Sequence, residues 1–340
     1  MPDPEPALRS LVISSMRNEG AFTLEWVTWY RMLGFTDILV VTNDCTDHSP
    51  QLLDALQDAG WLTHIRHEVK PDHIPLIPKL RRAKRHPLAE AADWILVCDV
   101  DEFLVIHKGA GQITDLLPAG EPDFLGMSLN WKVFGTSGQK HWSEGLVHRQ
   151  FTRSAAIGAG VNTWYKAISR RADLFRRLDA HGPAGYHADR APGPWGSAGL
   201  RWVNSEGVTV PDWHPDAPYQ RQTPRELTTH AAAQMNHYMI RSEESFSLKR
   251  GTLSAAARKD RYTDGFFKLF NRNEVEDLSA LRYAAAFEAL HAEAMALPGI
   301  RELHHLCCAD YVERLAAAAG REPSTDARWR RHRALASAGR

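Results

Sequence analysis

The sequence has no excess charge of either sign and no long apolar run. Its 340 residues include 41 basic and 41 acidic side chains, so the formal net charge is zero. Proteins that hold nucleic acid through bulk charge need a basic excess, and we therefore expect no nucleic-acid partner. No apolar stretch approaches the ~18 residues that suggest a membrane-spanning helix. We expect no transmembrane segment, although peripheral association with a membrane stays open.

Phosphate-binding loops and cysteine motifs are also missing. The absence of both GxGxxG and GxxxxGK[ST] disfavours Rossmann dehydrogenases and P-loop nucleoside triphosphatases. The four cysteines form no CxxC pair, which favours reduced thiols in a reducing compartment. Because the N-terminal residues lack a basic segment followed by an apolar one, we expect no signal peptide. The predicted location is the cytoplasm.

The first hundred residues alternate between short apolar runs and segments with helical spacing of apolar side chains. Strands are predicted over 8–14, 36–42, 61–67 and 94–98, and helices over 21–33, 50–59 and 80–92. Ser49 is the predicted N-cap of the second helix, because Pro50 suits a first helical position. This alternation predicts an α/β fold with a mostly parallel sheet covered by helices on both faces.

The pattern is less regular after residue 105. Further strands are predicted over 124–133, 146–153 and 165–170, with an antiparallel arrangement left open. Residues 182–230 are rich in proline and glycine and are predicted to be irregular. From Ser242 onward the chain is predicted to be helical, with 328–333 as a frayed helix or tail.

Three of the predicted strands end in polar clusters. Ligands of open parallel sheets bind at the carboxyl ends of the strands, so we expect these clusters to share one site. The clusters that follow the first, second and fourth strands occupy 17–20, 43–47 and 99–102.

Asp99 and Asp101 are the centre of this predicted site. In an extended segment, side chains two residues apart point the same way, so the carboxylates repel each other and lose solvation. A cation relieves both effects, and oxygen ligands favour Mg²⁺ or Mn²⁺ over Zn²⁺. Since Mg²⁺ often completes its shell with water and phosphate oxygens, the pair predicts a metal–diphosphate site.

Without a glycine-rich loop, basic side chains must help to hold the phosphates. Arg17 is one candidate, because it follows the first strand. A basic stretch offers others, although a solvated charged face is the competing interpretation for it. Its members are Lys70, Lys79, Arg81, Arg82, Lys84 and Arg85.

Five segments in order resemble the family 2-type glycosyltransferases. They are 17–35, 43–47, 93–104, 130–138 and 236–249, including the Asp99–Val100–Asp101–Glu102–Phe103 and Asn236–His237–Tyr238 motifs. The likeness runs from about residue 9 to 255. It implies a GT-A fold and transfer of a sugar from a nucleotide diphosphate sugar to a hydroxyl of a glycan or glycolipid acceptor.

The resemblance also implies roles for individual residues. Donor-binding positions would be Arg17, Asn18, Glu19, Asn43, Asp44, Asp47 and Asp99. Ligands of Mn²⁺ or Mg²⁺ would be Asp99, Asp101 and His237. Acceptor-binding or sugar-binding positions would be Trp131, Phe134, Gly135, Ser137, Lys166, His181 and Lys249. Core packing is the alternative for Trp131 and Phe134, and a hydrogen-bonded core position is the alternative for His237.

The implied organisation has a nucleotide-sugar-binding half over 8–120, an acceptor-binding half of the same domain over 121–255 and a helical extension over 256–340. The expected step is direct displacement at the anomeric carbon, with inversion of configuration. An acceptor hydroxyl needs a general base. Four acidic residues are weak candidates for that base, and none is assigned: Glu102, Glu144, Asp179 and Glu243.

Two other functions remain open. Metal-dependent nucleotidyltransferases and phosphohydrolases also use paired carboxylates, although such enzymes often carry a glycine-rich basic loop after the first strand, which this sequence lacks. A non-catalytic carbohydrate-binding protein would suit the 11 tryptophans and 8 tyrosines. It would not need a nucleotide-binding α/β arrangement.

Overall fold

The structure is a computed structural model that describes residues 8–68, 75–118, 120, 122–215, 217, 220–252 and 260–338. Lys70 of the basic stretch lies outside the described residues. The strands are β1 Ser10–Met16, β2 Asp37–Thr42, β3 Thr63–Arg66, β4 Trp94–Val97, β5 Glu102–Ile106, β6 Gly126–Val133, β7 Arg153–Ser154, β8 Tyr165–Ser169, β9 Phe175–Asp179, β10 Gly182–Tyr186, β11 Trp202–Asn204, β12 Ala233–His237 and β13 Val275–Glu276.

The helices alternate with strands in the first half of the chain and dominate its end. They are α1 Gly20–Met32, α2 Ser49–Asp58, α3 Leu76–Lys84, α4 Pro87–Ala91, α5 Ile113–Leu116, α6 Val147–Gln150, α7 Glu243–Ser247, α8 Asp264–Phe270, α9 Ala284–Ala296, α10 Ile300–Ala318 and α11 Ala327–Ser337. None of the helices in the described part of the chain is both long and apolar enough to cross a bilayer.

One mixed sheet organises the molecule, in the order β3-β2-β1-β4-β8-β6-β12-β5, with β11 paired to β6. Strands β3, β2, β1 and β4 run parallel to one another. Strand β8 runs antiparallel to both β4 and β6, and β5 runs antiparallel to β12. The predicted α/β class with a mostly parallel sheet is therefore confirmed.

Apolar side chains on both faces of β1 explain why helices cover the sheet on both sides. Val12 packs in one core with the side chains of α1 and α2, whereas Leu11 and Ile13 pack in a second core with Leu80 of α3. Burial of a large aliphatic side chain contributes about 1.5–3 kcal/mol. Continuous apolar strands such as β1, β2 and β4 are thus stable only between two helical layers.

Several local predictions are wrong for identifiable reasons. The helix predicted over 80–92 is divided into α3 and α4, because Pro87 lacks an N–H and holds His86 in an extended conformation. Ser49 is the first residue of α2 and not its N-cap. Its backbone N–H donates to Asp47 Oδ1 at 3.1 Å.

The strand predicted over 146–153 is also wrong at its start, where α6 forms instead. The carboxylate of Glu25 accepts hydrogen bonds from the backbone N–H groups of Val147 and His148, at 2.8 and 3.1 Å. A carboxylate at this position satisfies N–H groups that have no partner inside the helix. Glu25 is distant in sequence, so local pattern could not reveal this contact.

The C-terminal helices pack on the first α/β units. Helix α10 contacts α1 and α2 and pairs with α11. The segment 328–333 is neither frayed nor a tail, since it lies within α11 and Arg328 Nη1 donates to Glu244 Oε2 at 2.7 Å. The predicted boundaries between 120 and 121 and between 255 and 256 stay predictions.

Gly20 of α1 packs against Cys307 of α10, and this contact gives a stability prediction. A Cβ at Gly20 would lie 2.5 Å from Cys307 Sγ, inside a buried interface. We expect Gly20→Ala to lower the free energy of unfolding by about 1–3 kcal/mol, because overpacking outweighs the gain in helix propensity. Thermal denaturation measures the effect. Gly158→Ala is the matched control, since its Cβ would meet nothing within 4 Å.

Candidate active site

The loops that follow β1 and β2 are tied together at the carboxyl edge of the sheet. Asn18 Oδ1 accepts the backbone N–H of Thr46 at 2.7 Å, and Asn18 Nδ2 donates to Thr46 Oγ1 at 3.1 Å. Asp47 Oδ2 accepts the N–H of Gly20 at 3.1 Å. Asn18 and Asp47 therefore hold the loops in register, while Asp44 and Arg17 remain exposed.

Lys79 is the one member of the basic stretch that the structure buries beside these loops. Its side chain is 2% exposed, and Nζ donates to Asn43 Oδ1. Burial lowers the pKa of Lys79 to about 8, with the negative charges of Cys45 and Asp99 opposing that shift. Lys79 thus places a buried ammonium near Asp99.

Of the other described members of the basic stretch, Arg81, Arg82 and Arg85 are exposed and line a cavity of about 450 Å³. Its lining residues are Ile65, His67, Pro78, Arg81, Arg82, Arg85, His86 and Pro87. This basic cavity is separate from the side chains that contact Asp99 and Asp101.

Asp99 is held by a buried lysine from the middle of the sheet. Lys166 of β8 is 1% exposed, and its Nζ lies 2.8 Å from Asp99 Oδ2 and 3.0 Å from Glu102 Oε2. Glu102 Oε2 also accepts the N–H of Asp99 at 2.9 Å. Burial opposes ionisation of Asp99, but Lys166 outweighs it and lowers the pKa of that carboxyl. At Glu102 burial dominates and raises the pKa despite Lys166.

Asp101 has a different pair of partners. Lys249 Nζ lies 3.2 Å from Asp101 Oδ2, and His237 Nε2 lies 3.5 Å from Asp101 Oδ1. Burial would raise the pKa of Asp101, yet Lys249 and then His237 outweigh it and hold the pKa well below its ordinary value. Each aspartate therefore has its own lysine, which supplies part of the cationic charge that the sequence assigned to a metal.

His237 is positioned by the pairing of β12 with β5, which sets it opposite Glu102. His237 Nδ1 lies 3.5 Å from Glu102 Oε1, and both buried atoms lack a hydrogen-bond partner. A metal-binding histidine commonly presents its second nitrogen to a carboxylate in this way. The arrangement of Glu102, His237 and Asp101 therefore fits a divalent ion held by Asp101 Oδ1 and His237 Nε2.

The predicted three-ligand set is not assembled, however. Among the described residues, the two sets of three side chains whose ligand atoms lie within 4.8 Å of one another both include Glu144 and neither includes Asp99. The Oδ2 atom of Asp99 is engaged by Lys166. With 46% of its side chain exposed, Asp99 can still contact a ligand.

Aromatic rings border His237 on the side of β6. Trp131 and Trp164 stack with ring centroids 5.3 Å apart, and Trp131 meets the edge of His237 at 4.2 Å. His181 lies 5.6 Å from Trp131, ring to ring, and hydrogen-bonds Tyr165 O. Burial lowers the pKa of His181 to about 3, so this imidazole is neutral at physiological pH. Trp164 is only partly buried, and the guanidinium of Arg221 lies 4.5 Å from the centroid of its ring.

Three of the predicted acceptor residues make internal contacts. Phe134 is 1% exposed and packs on Tyr238 at 4.7 Å. A Cβ at Gly135 would meet Arg272 O. Ser137 Oγ accepts the N–H of Arg153 at 2.9 Å. Phe134, Gly135 and Ser137 thus join β6 to later segments, and their acceptor role stays a prediction.

The four weak candidates for the base are dispersed. Glu102 is fully buried beneath the aspartates. Glu144 lies among histidines of α10 and α11. Asp179 Oδ1 accepts the N–H of Ala180 at 2.7 Å, and Glu243 is exposed at the start of α7. These positions favour none of the four as the base.

Two arginines near the donor side were not predicted. Arg241 is 4% exposed, its guanidinium lies 3.5 Å above Phe22, and Nη1 lies 3.5 Å from Glu19 Oε2. Its Nε and Nη2 are buried without a hydrogen-bond partner. Arg314 of α10 donates to Asn18 O at 3.0 Å. Arg241 follows the Asn236–His237–Tyr238 motif closely, which was a usable signal, whereas nothing in the sequence linked Arg314 to the site.

Sequence comparison connects this chain to a known glycosyltransferase. It is 25% identical over 150 residues to a glycosyltransferase family 92 protein from Ricinus communis, across 41% of this chain and 26% of that protein. The match thus spans about a quarter of the relative's length. No protein-family model matches the chain. The similarity supports a glycosyltransferase in general, and because family 92 is a different family, the family 2-type assignment is not confirmed.

Structural comparison gives weaker similarities. The 1–349 fragment of S. aureus TarS is 12% identical, with 98% of this chain and 92% of that chain covered and a TM-score of 0.32. An active-site variant of LgtC is 14% identical, with 68% and 87% covered and a TM-score of 0.30. TM-scores this low do not define a shared function.

Proposed function

We propose that this chain is a family 2-type glycosyltransferase that moves a sugar from a nucleotide diphosphate sugar to a hydroxyl of a glycan or glycolipid, with inversion. The observation that carries the proposal is the convergence of Asp99, Asp101 and His237 with buried cations at the carboxyl edge of the sheet. Ligands of α/β proteins bind at such edges. The sequence similarity to a glycosyltransferase supports the same reaction class.

The donor diphosphate is proposed to lie among three cationic side chains. Lys249 and Lys79 bring ammonium groups to Asp101 and Asn43, respectively. Arg241 offers two buried N–H-bearing nitrogens that lack partners, and an arginine suits phosphate oxygens because its donors form a planar fork. The exposed side chain of Asp44 and the partly exposed Asp99 are proposed to contact the nucleoside.

Asp101 Oδ1 and His237 Nε2 are proposed to hold Mn²⁺ or Mg²⁺, with Glu102 orienting the imidazole. The bound ion would neutralise charge that develops on the leaving diphosphate. The lysines serve the same electrostatic purpose from the protein itself, since they are fixed before the reaction and need little reorganisation. Mn²⁺ accepts an imidazole ligand more readily than Mg²⁺ does, which favours Mn²⁺ here.

The acceptor is proposed to approach from the side of Trp131 and Trp164. Because Trp131 and Arg221 already pack on the ring of Trp164, the sugar is proposed to contact the exposed edge of that ring. A general base must take the acceptor proton, and no acidic residue of the described chain is assigned that role. The cytoplasm remains the proposed location, and peripheral contact with a membrane is proposed for the case of a glycolipid acceptor.

A nucleotide panel tests the reaction class. We expect at least one nucleoside diphosphate, uridine and guanosine diphosphates being tested first, to raise the melting temperature, and Mn²⁺ to increase that rise. Turnover of a nucleoside triphosphate with pyrophosphate release would favour a nucleotidyltransferase instead. Glycan binding that needs neither nucleotide nor metal would favour a carbohydrate-binding protein.

Lys79→Met tests the proposed position of the diphosphate. We expect it to weaken nucleoside diphosphate binding by about tenfold, because it removes a desolvated charge-assisted contact to phosphate. Lys84→Met on the same helix is the matched control and should bind as the wild type does. Isothermal titration measures both. Equal affinities of the Lys79 and Lys84 variants would contradict the proposed position of the diphosphate.

A further inference from the structure

A second cluster of ligand-type side chains lies outside the candidate active site. His304, His305 and Cys308 project from α10, and His332 projects from α11. All four are buried, with exposures of 9%, 5%, 1% and 2% in that order. They surround the carboxylate of Glu144, which comes from the loop between β6 and α6.

The separations in this cluster are too long for strong hydrogen bonds. Glu144 Oε1 lies 3.6 Å from His304 Nε2 and 3.4 Å from His305 Nδ1. Glu144 Oε2 lies 3.8 Å from His332 Nε2, and His304 Nε2 lies 3.7 Å from Cys308 Sγ. Nitrogen–oxygen hydrogen bonds have a usual length of about 2.9–3.0 Å. The contacts of Glu144 with the three histidines are therefore longer than ordinary hydrogen bonds, whereas the contact between His304 and Cys308 is a hydrogen bond to sulfur.

Coordination of one metal ion fits the separations between the side chains of this cluster. Bonds of about 2.0–2.3 Å to a tetrahedral Zn²⁺ separate neighbouring ligand atoms by roughly 3.3–3.7 Å. The separations from Glu144 to the histidines and from His304 to Cys308 match that range closely. In the described part of the chain, Glu144 forms two sets of ligand atoms within 4.8 Å, one with Cys308 and His332 and the other with His304 and His305.

The helix geometry explains how the sequence builds this cluster. Residues four apart lie on the same face of a helix, so His304 and Cys308 face the same neighbour. His305 is displaced by one position and points toward α11, where its Nδ1 lies 3.3 Å from His332 Nδ1. The candidate active site differs from this cluster, because its donors are mainly oxygen atoms.

The donor chemistry selects the ion. A mixed set of imidazole, thiolate and carboxylate suits Zn²⁺, whereas Mg²⁺ and Ca²⁺ prefer oxygen ligands. One carboxylate and one thiolate balance the charge of a divalent ion.

One cation opposes the ion at this point. The guanidinium of Arg331 lies 3.3 Å from Glu144 Oε2, but it is 66% exposed and can turn into solvent.

We propose that this chain binds one structural Zn²⁺ through Glu144, Cys308 and His332, whose ligand atoms all lie within 4.8 Å of one another. His304, whose Nε2 lies 3.7 Å from Cys308 Sγ, is the residue proposed to complete the four-ligand shell of a structural zinc site. The ion links the loop between β6 and α6 to the α10–α11 pair. Because α10 also carries Arg314, which contacts Asn18, the zinc site fixes a helix that reaches the donor side.

Metal content of the purified full-length chain is the first test. After dialysis against a chelator that removes loosely held ions, we expect about one zinc per chain. Cys308→Ala should retain less than about a tenth of that zinc, since it loses a thiolate ligand. Cys307→Ala is the matched control and should keep its zinc, because Cys307 packs against Gly20 outside the cluster. Asp101→Asn should also keep it.

Cobalt substitution of the wild-type chain is the second test, and it does not depend on variants that fold poorly. Co²⁺ at this site should show the intense visible bands of tetrahedral coordination and a thiolate charge-transfer band in the near ultraviolet. Cys308→Ala should lose the charge-transfer band. A chain without zinc whose cobalt spectrum lacks both features, or zinc retained equally by the two cysteine variants, would overturn the proposal.

Discussion

Asp101→Ala is expected to reduce metal-dependent sugar transfer at least ~100-fold while leaving the fold intact, because it removes a proposed ligand of the metal ion that neutralises the developing negative charge. The variant loses the carboxylate that faces both Lys249 and His237. The side chain of Lys249 is 25% exposed and stays hydrated. The loss of its partner should therefore cost little stability. Initial rates over a range of Mn²⁺ concentrations, with the melting temperature measured in parallel, give both quantities.

The control for this variant is Asp264→Ala. Asp264 is 80% exposed and pairs with Arg250 on the surface, so the same substitution there should leave turnover unchanged. Asp101→Asn adds a second comparison, because it preserves the shape of the side chain and removes only the charge. Full activity of Asp101→Ala with a purified donor would exclude Asp101 from the reaction.

Most of the parallel half of the sheet could be predicted because β1, β2 and β4 are apolar on both faces. These strands and the edge strand β3 form where strands were predicted, with ends displaced by at most two residues. Runs that are apolar on both faces can be stable only as central strands between helical layers. The polar residues that follow them were therefore expected at one edge, and Asn18 and Thr46 do meet there.

The sequence predicted less well which side chains form the candidate site. Lys166 and Lys249 meet the aspartates across 67 and 148 residues of chain. The contact of Lys166 depends on the antiparallel position of β8 beside β4. The contact of Lys249 depends on the turn from β12 into α7. The motif suggested that a cation relieves the repulsion between carboxylates, but composition alone could not show that the chain supplies two of its own.

Strand β5 shows a second limit. Its residues follow Asp101 directly and were not predicted as a separate strand. It pairs antiparallel with β12, which begins more than a hundred residues later, and only that pairing sets His237 opposite Glu102. Register between distant strands is determined by packing of the whole sheet, so a local pattern carries little information about it.

Lys166→Met is expected to be the most destabilising single substitution near the site. Lys166 is 1% exposed and Glu102 is 0% exposed, so loss of the ammonium leaves a buried carboxylate without its cation. Breaking a buried ion pair in this way costs about 3–5 kcal/mol of unfolding free energy. Chemical denaturation of the variant and the wild type at neutral pH measures the difference.

The pH dependence of that loss follows from the raised pKa of Glu102. Burial lifts this pKa above the ordinary value of 4.5, and removing Lys166 must raise it further. A carboxyl whose folded pKa is raised contributes stability below its unfolded pKa and loses it as the pH rises through the folded pKa. The deficit of Lys166→Met should therefore be largest at neutral pH and shrink as the pH falls toward 4.5.

Two further variants separate charge from packing in this prediction. Lys166→Met combined with Glu102→Gln should recover much of the lost stability at neutral pH, because no unpaired charge remains buried. Lys132→Met on β6 should cost less than Lys166→Met, since Asp277 lies 3.9 Å from Lys132 and keeps a hydrogen bond of 3.0 Å from Gln234. If Lys166→Met were as stable as the wild type at neutral pH, the lysine would not be the cation that holds Asp99 and Glu102 together.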